Sequence, residues 1–161
     1  MTTFGPRLQR LPADTITALS FFSRLPVKAP AGSFDMHQVA GAWPAAGFVL
    51  ALLPAVLFEL LRAADFPPSI AAVTALAGLA LLTGALHEDG LSDTADGFGG
   101  GRTRDEKLAI MRDSRLGTFG ALALLFMLLG KVIALSTIGL RPGYGAIAVL
   151  AAAVISRSMA L

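Results

Sequence analysis

A chain of 161 residues with 55% apolar and only 15% charged side chains, at a mean hydropathy of +0.69, has the composition of a membrane protein rather than a soluble domain. It contains no cysteine, which excludes a disulfide framework and any thiolate zinc or iron–sulfur centre, so a metal would have to be held by oxygen or imidazole. The net charge is only +2 and no run interleaves basic with aromatic residues, which argues against a nucleic-acid surface.

Residues 1–38 form an N-terminal segment in which the apolar run Ile16–Phe22 is too short to cross a bilayer. Arg24, Pro26 and Lys28 follow it where a cleavable signal would carry small residues, so DTITALSFFSRLP is expected at the membrane interface. His37 is read as interfacial too. Four membrane spans are predicted, at 39–61, 69–86, 117–140 and 144–161, with a polar loop at 87–116. Lys131 lies inside the third span and Arg157 near the end of the fourth; such residues either serve function or snorkel to the interface. The chain stops within apolar sequence with no polar terminator, so it reads as a fragment of a longer protein. The expected fold class is therefore all-α: a polytopic helical membrane bundle with interfacial helices in the N-terminal segment and in the loop.

Basic residues in short connections stay on the cytoplasmic side. Arg7, Arg10, Arg24 and Lys28 precede the first span, and Arg102, Arg104, Lys107, Arg112 and Arg115 lie in the polar loop, whereas Arg62 and Arg141 stand alone in the other connections. Two spans separate the basic regions, so both fall on one side, the cytoplasm of a bacterial inner membrane.

That loop holds Glu88, Asp89, Asp93, Asp96, Asp105, Glu106 and Asp113, seven of the chain's eleven acidic residues. At about 100° per residue, Asp89, Asp93 and Asp96 share one helix face. No Lys or Arg lies between Glu88 and Gly101 to relieve their repulsion, so the spacing predicts a Mg²⁺- or Mn²⁺-type site that handles a phosphorylated substrate. Glu88 points off that face, and His87 at the helix end is either interfacial or a ligand. Gly97, Gly99, Gly100 and Gly101 should end the acidic helix and admit a ligand to the backbone. GFGGG lacks the Lys-Ser/Thr of a P-loop. Thr103-Arg-Asp-Glu106 reads as a capping box opening a short surface helix, RDEKLAIMRDSR. Asp113 is either a fourth carboxylate returning to the triad or a surface partner of Arg112 or Arg115. Arg102, Arg104, Arg112 and Arg115 fix topology, clamp phosphates, or do both.

HEDGLSDTADGFGGG followed by RDEKLAIMRDSRLGTFGALAL, with LSFFSRLPV and GAWPAAGFVLALL before them, resembles the cobalamin synthase family, the adenosylcobinamide-GDP ribazoletransferases. The resemblance implies a Mg²⁺-dependent phosphotransferase in which α-ribazole, or its 5′-phosphate, attacks the cobinamide-bearing phosphate of adenosylcobinamide-GDP and GMP leaves. It would make Asp89, Asp93 and Asp96 the metal ligands, Asp113 a further ligand or the base, and Arg102, Arg104, Arg112 and Arg115 the phosphate receivers. Oligomeric state is left open. A CDP-alcohol phosphotransferase would carry an Ala-Arg pair after its first aspartates and a later Gly-x3-Asp-x3-Asp, whereas here Asp89-x3-Asp93 is followed by Thr94-Ala95-Asp96, without that pair. A divalent-cation transporter would favour acidic residues at mid-span, and the spans hold only Glu59, near an end.

Overall fold

The computed structural model describes residues 4–29 and 39–159, which places His37 outside the described residues. The fold is all-α, with no strand among the described residues. Its helices are α1 (Phe4–Phe22), a 3₁₀ turn (Ala40–Ala42) leading into α2 (Trp43–Ala63), α3 (Pro68–Thr83), α4 (Leu86–Gly100), α5 (Arg104–Met111), α6 (Thr118–Ile138) and α7 (Tyr144–Ser158). Two described stretches are long and apolar enough to cross a membrane, Ala40–Ala63 and Thr118–Ile138; a third arises if α3 and α4 are counted together as one broken span. The apolar helix α7 has 15 residues. The chain divides into two compact units, one built from residues up to Gly84 and from Leu135 onward, the other from Ala85–Ala134.

In the first unit α2 is the hub, packed against α1, α3 and α7. Leu19 and Phe22 of α1 meet Val39, Trp43, Ala46 and Leu50 in one buried cluster, with the Phe22 and Trp43 rings edge to face at 5.5 Å. Elsewhere small residues let the helices approach: Ala46, Ala51, Ala55, Ala71, Ala72 and Ala75 are all essentially inaccessible. Within a membrane, where lipid competes for apolar contact, close backbone approach of this kind drives helix association. The fully buried Phe58 fills the space left by Gly139 and Gly145, where an added Cβ would collide with its ring.

Two charged residues of α2 organise the turn between α6 and α7. Arg62 Nε donates to the Gly139 carbonyl at 3.3 Å. One turn earlier, Glu59 accepts the backbone N–H groups of Gly143 and Ala146 at 3.2 and 3.0 Å. A carboxylate at a helix N-terminus meets both the orphan donors and the positive end of the helix dipole. Glu59→Ala leaves those donors without their acceptor and should cost about 1–3 kcal/mol of stability, read as a lowered thermal midpoint of the detergent-solubilised protein.

The second predicted span stops at Thr83, three residues before its expected end. Gly84 ends α3 at φ 66° and Ala85 follows at φ 58°, and successive left-handed residues cannot continue an α-helix. Gly84 is required twice over, by its φ and because a Cβ there would collide with the Arg24 side chain. Arg24 also donates its N–H to the Leu82 carbonyl at 2.8 Å. α4 then starts afresh at Leu86 and carries the acidic sequence.

Candidate metal and phosphate site

The second unit brings α4, α5, the segment 112–117 and the start of α6 together. The glycines expected to end the acidic helix instead lie within it or at its cap: α4 runs through Gly100 and Gly101 caps it. Packing explains them. A Cβ on Gly97 would run into Met111, one on Gly99 into the Phe119 ring, and one on Gly101 into the backbone and side chain of Lys107. The glycines therefore seat α5 and the start of α6 close against α4. Lys107 closes the contact, its ammonium lying 4.4 Å above the Phe98 ring centroid.

α5 forms as its sequence predicts, but ends at Met111. Thr103 Oγ1 accepts from the Glu106 N–H at 3.2 Å, and Glu106 Oε2 accepts from the N–H groups of Thr103 and Arg102 at 3.1 and 2.8 Å. Those N–H groups hold the Glu106 carboxyl below its usual range, the Arg102 one contributing most. The chain leaves α5 through Arg112 and crosses back towards α4 as Asp113-Ser-Arg-Leu116.

A cavity of about 230 Å³ opens there, lined by Asp89, Ser92 and Asp93 from α4 and by Met111 to Leu116 opposite. Asp89 is exposed and Asp93 half-buried. The structure thus brings together Asp89, Asp93, Arg112, Asp113 and Arg115 of the residues singled out in the sequence. Arg102 and Arg104 are exposed and do not line the cavity. Ser92, Met111, Ser114 and Leu116 are lining residues that sequence reasoning passed over; Ser92 was legible as the i+3 neighbour of Asp89, on an adjoining stripe of the same helix.

Asp113 does pair with an arginine. Its carboxylate accepts the Arg115 backbone N–H at 3.1 Å and Nε at 3.0 Å, and forms an ion pair with Nη2. The Arg115 side chain donates the largest share of what holds the Asp113 carboxyl below the usual aspartate range, and Asp113 in turn raises Arg115. A carboxyl held ionised in this way makes a weak proton acceptor.

The three aspartates of the helix face do not converge. Asp96 Oδ2 accepts the Gly117 N–H and Oδ1 the Gly120 N–H, each at 2.8 Å, so this buried carboxylate is turned to the N-terminus of α6 and away from the cavity. Among the described residues no three His, Asp or Glu side chains come close enough together to hold a metal by themselves. Glu88, off the acidic face, lies 3.5 Å from Lys131 of α6. The pairing gives a lysine in an apolar helix a counter-charge.

The profile of the cobalamin-5-phosphate synthase family matches residues 14–161. A protein of Azorhizobium caulinodans named adenosylcobinamide-GDP ribazoletransferase is 46% identical over 94% of this chain and 60% of its own length. Relatives of the same name from Xanthobacter autotrophicus and Brucella ovis are 46% and 48% identical, each over 82% of this chain and 52% of their own length. The chain thus spans between half and three fifths of these relatives. No solved structure matches it.

Proposed function

The chain belongs to the cobalamin-5-phosphate synthase family, and we propose that the cavity between α4 and the segment 112–116 serves the phosphoryl transfer named for its relatives. In that reading a hydroxyl of α-ribazole, or of its 5′-phosphate, forms a new O–P bond to the cobinamide-bearing phosphorus of adenosylcobinamide-GDP. The pyrophosphate P–O bond breaks, GMP leaves with the electron pair, and the hydroxyl proton passes to a carboxylate of the cavity. The observation that carries the proposal is the placing of Asp89 and Asp93 on one wall and Arg112 and Arg115 on the other. Guanidinium groups suit the phosphate oxygens, whose charge grows as the bridge breaks. Asp113 is bound to Arg115, which favours Asp89 or Asp93 as the proton acceptor.

The donor set fits Mg²⁺. The anionic ligands on offer are carboxylate oxygens, and Mg²⁺ is commonly held by one or two carboxylates together with water and substrate phosphates, so Asp89 and Asp93 suffice without a third. When bound, the ion would neutralise charge on the departing phosphate.

GMP release by the full-length protein from adenosylcobinamide-GDP and α-ribazole tests the proposal. CMP release from a CDP-alcohol, or divalent-metal flux into vesicles without GMP release, would replace it with the phospholipid or transport reading.

The distribution of basic residues supports a cavity that faces the cytoplasm at the inner membrane. Ser69, in the first turn of α3, and Ser114, at the cavity, are both exposed, so Ser69→Cys and Ser114→Cys should react with an impermeant maleimide from opposite sides of the membrane, Ser114 from the cytoplasm. Labelling of both from one side, or of Ser114 from outside, would reverse the assignment.

A further inference from the structure

We infer that Asp96 is a positioning residue, which docks the N-terminus of α6 onto α4 and so holds the segment 112–116 over Asp89 and Asp93. The inference rests on the reading of the cavity as the reaction site. On α4, taking Asp89 as origin at about 100° per residue, Asp93 lies at about +40°, Asp96 at about −20° and Ser92 at about −60°. Asp96 therefore sits between Asp89, which lines the cavity, and Ser92, which lines it and also abuts Gly120 of α6, and its own tertiary partners decide which side it serves. Both its oxygens are engaged, one by Gly117 N–H and the other by Gly120 N–H.

The α6 side is shaped to receive that carboxylate. A Cβ on Gly117 would collide with the Asp96 carboxylate, and one on Gly120 with both that carboxylate and Ser92 Oγ. Ser92 is itself buried one turn before Asp96. The GTFG spacing thus presents two N–H groups at a bare helix start, where donors are orphaned and a negative charge is favoured. Gly117 follows Leu116 directly, so anchoring Gly117 fixes the exit of the segment that carries Arg112, Asp113 and Arg115. An asparagine at 96 keeps one acceptor and turns an NH₂ towards the other N–H group, which loses one bond and opposes two donors.

The test uses the full-length protein in nanodiscs, with Asp96→Asn, Gly120→Ala and Asp89→Asn variants. Asp96→Asn and Gly120→Ala should each lower the metal-free thermal midpoint by about 5 °C. Mn²⁺ titrated alone and followed by electron paramagnetic resonance should bind both within about twofold of the parent, while Asp89→Asn keeps the midpoint and weakens Mn²⁺ about tenfold. Well below its midpoint, Asp96→Asn should raise KM for adenosylcobinamide-GDP about tenfold while the Mg²⁺ requirement stays put, a change that loss of stability alone does not produce. An unchanged midpoint with Mn²⁺ binding weakened tenfold or more in Asp96→Asn would make Asp96 a ligand and overturn the inference. If Asp96→Asn does not fold, Gly120→Ala decides, and an unaltered midpoint in that variant overturns it. If no aspartate variant alters Mn²⁺ binding, the metal reading falls, while lowered midpoints in Asp96→Asn and Gly120→Ala still uphold the docking role.

Discussion

Asp93→Asn in the full-length protein should reduce turnover of adenosylcobinamide-GDP by about 10²–10³-fold while membrane insertion and the thermal midpoint stay near those of the parent. Asp93 lines the cavity, half-buried, one turn from the more exposed Asp89. The two like charges repel unless a cation or a guanidinium answers them. The substitution keeps shape and one oxygen but removes the charge, so it relieves the repulsion and costs the fold little. On the proposed reading its effect would fall on the charged state, as a weakened hold on Mg²⁺ and a lost proton acceptor. GMP release, scored beside insertion and midpoint, separates these cases, and near-normal turnover in Asp93→Asn would remove the proposed chemistry. Asp89→Asn should behave alike, because the two residues share the wall. Asp96→Asn should not, because its cost includes the docking of α6.

How much of this could be read from the sequence depends on whether the deciding interaction is local. The capping box at Thr103 and Glu106 was legible because both partners lie within one helical turn. The apolar stretches at Ala40–Ala63 and Thr118–Ile138 were legible because hydropathy is a property of the segment itself. The end of α3 at Thr83 was not, since apolar residues continue to Leu86 and only the left-handed pair Gly84–Ala85 breaks the helix. The glycines after Asp96 read as a helix stop by composition, and only the neighbours Met111, Phe119 and Lys107 show them to be contact points. The same limit applies to the acidic triad. Helical spacing places Asp89, Asp93 and Asp96 on one face, but two backbone donors 21 and 24 residues further on draw Asp96 aside. Glu59 and Glu88 went unassigned for that reason as well: their partners, at Gly143, Ala146 and Lys131, are distant in the chain.

Arg115→Ala should lower kcat/KM by about 10²-fold, and Arg115→Lys should recover only part of it, because an ammonium supplies the charge without the planar fork. The argument turns on Asp113, which holds that fork from below through the backbone N–H, Nε and Nη2. If Asp113 serves to aim Arg115, then Asp113→Asn should act mainly through KM for the phosphorylated substrate and leave the acid limb of the pH profile in place. If it is the base, that limb should shift or vanish. The sign of its pKa change discriminates further. The folded-state pKa of Asp113 is lowered, so the pairing is fully formed above the unfolded value of about 3.9 and is lost only as pH falls through the lower folded value. Between about pH 5 and pH 9 neither partner titrates, and the grip on Arg115 should be constant across that range. An acid limb measured within that window must therefore belong to a group other than Asp113. Asp113→Asn measured from pH 5 to pH 9 against the parent decides the matter: parallel profiles offset by a constant factor assign Asp113 to aiming the arginine, and an acid limb that shifts or vanishes overturns that assignment.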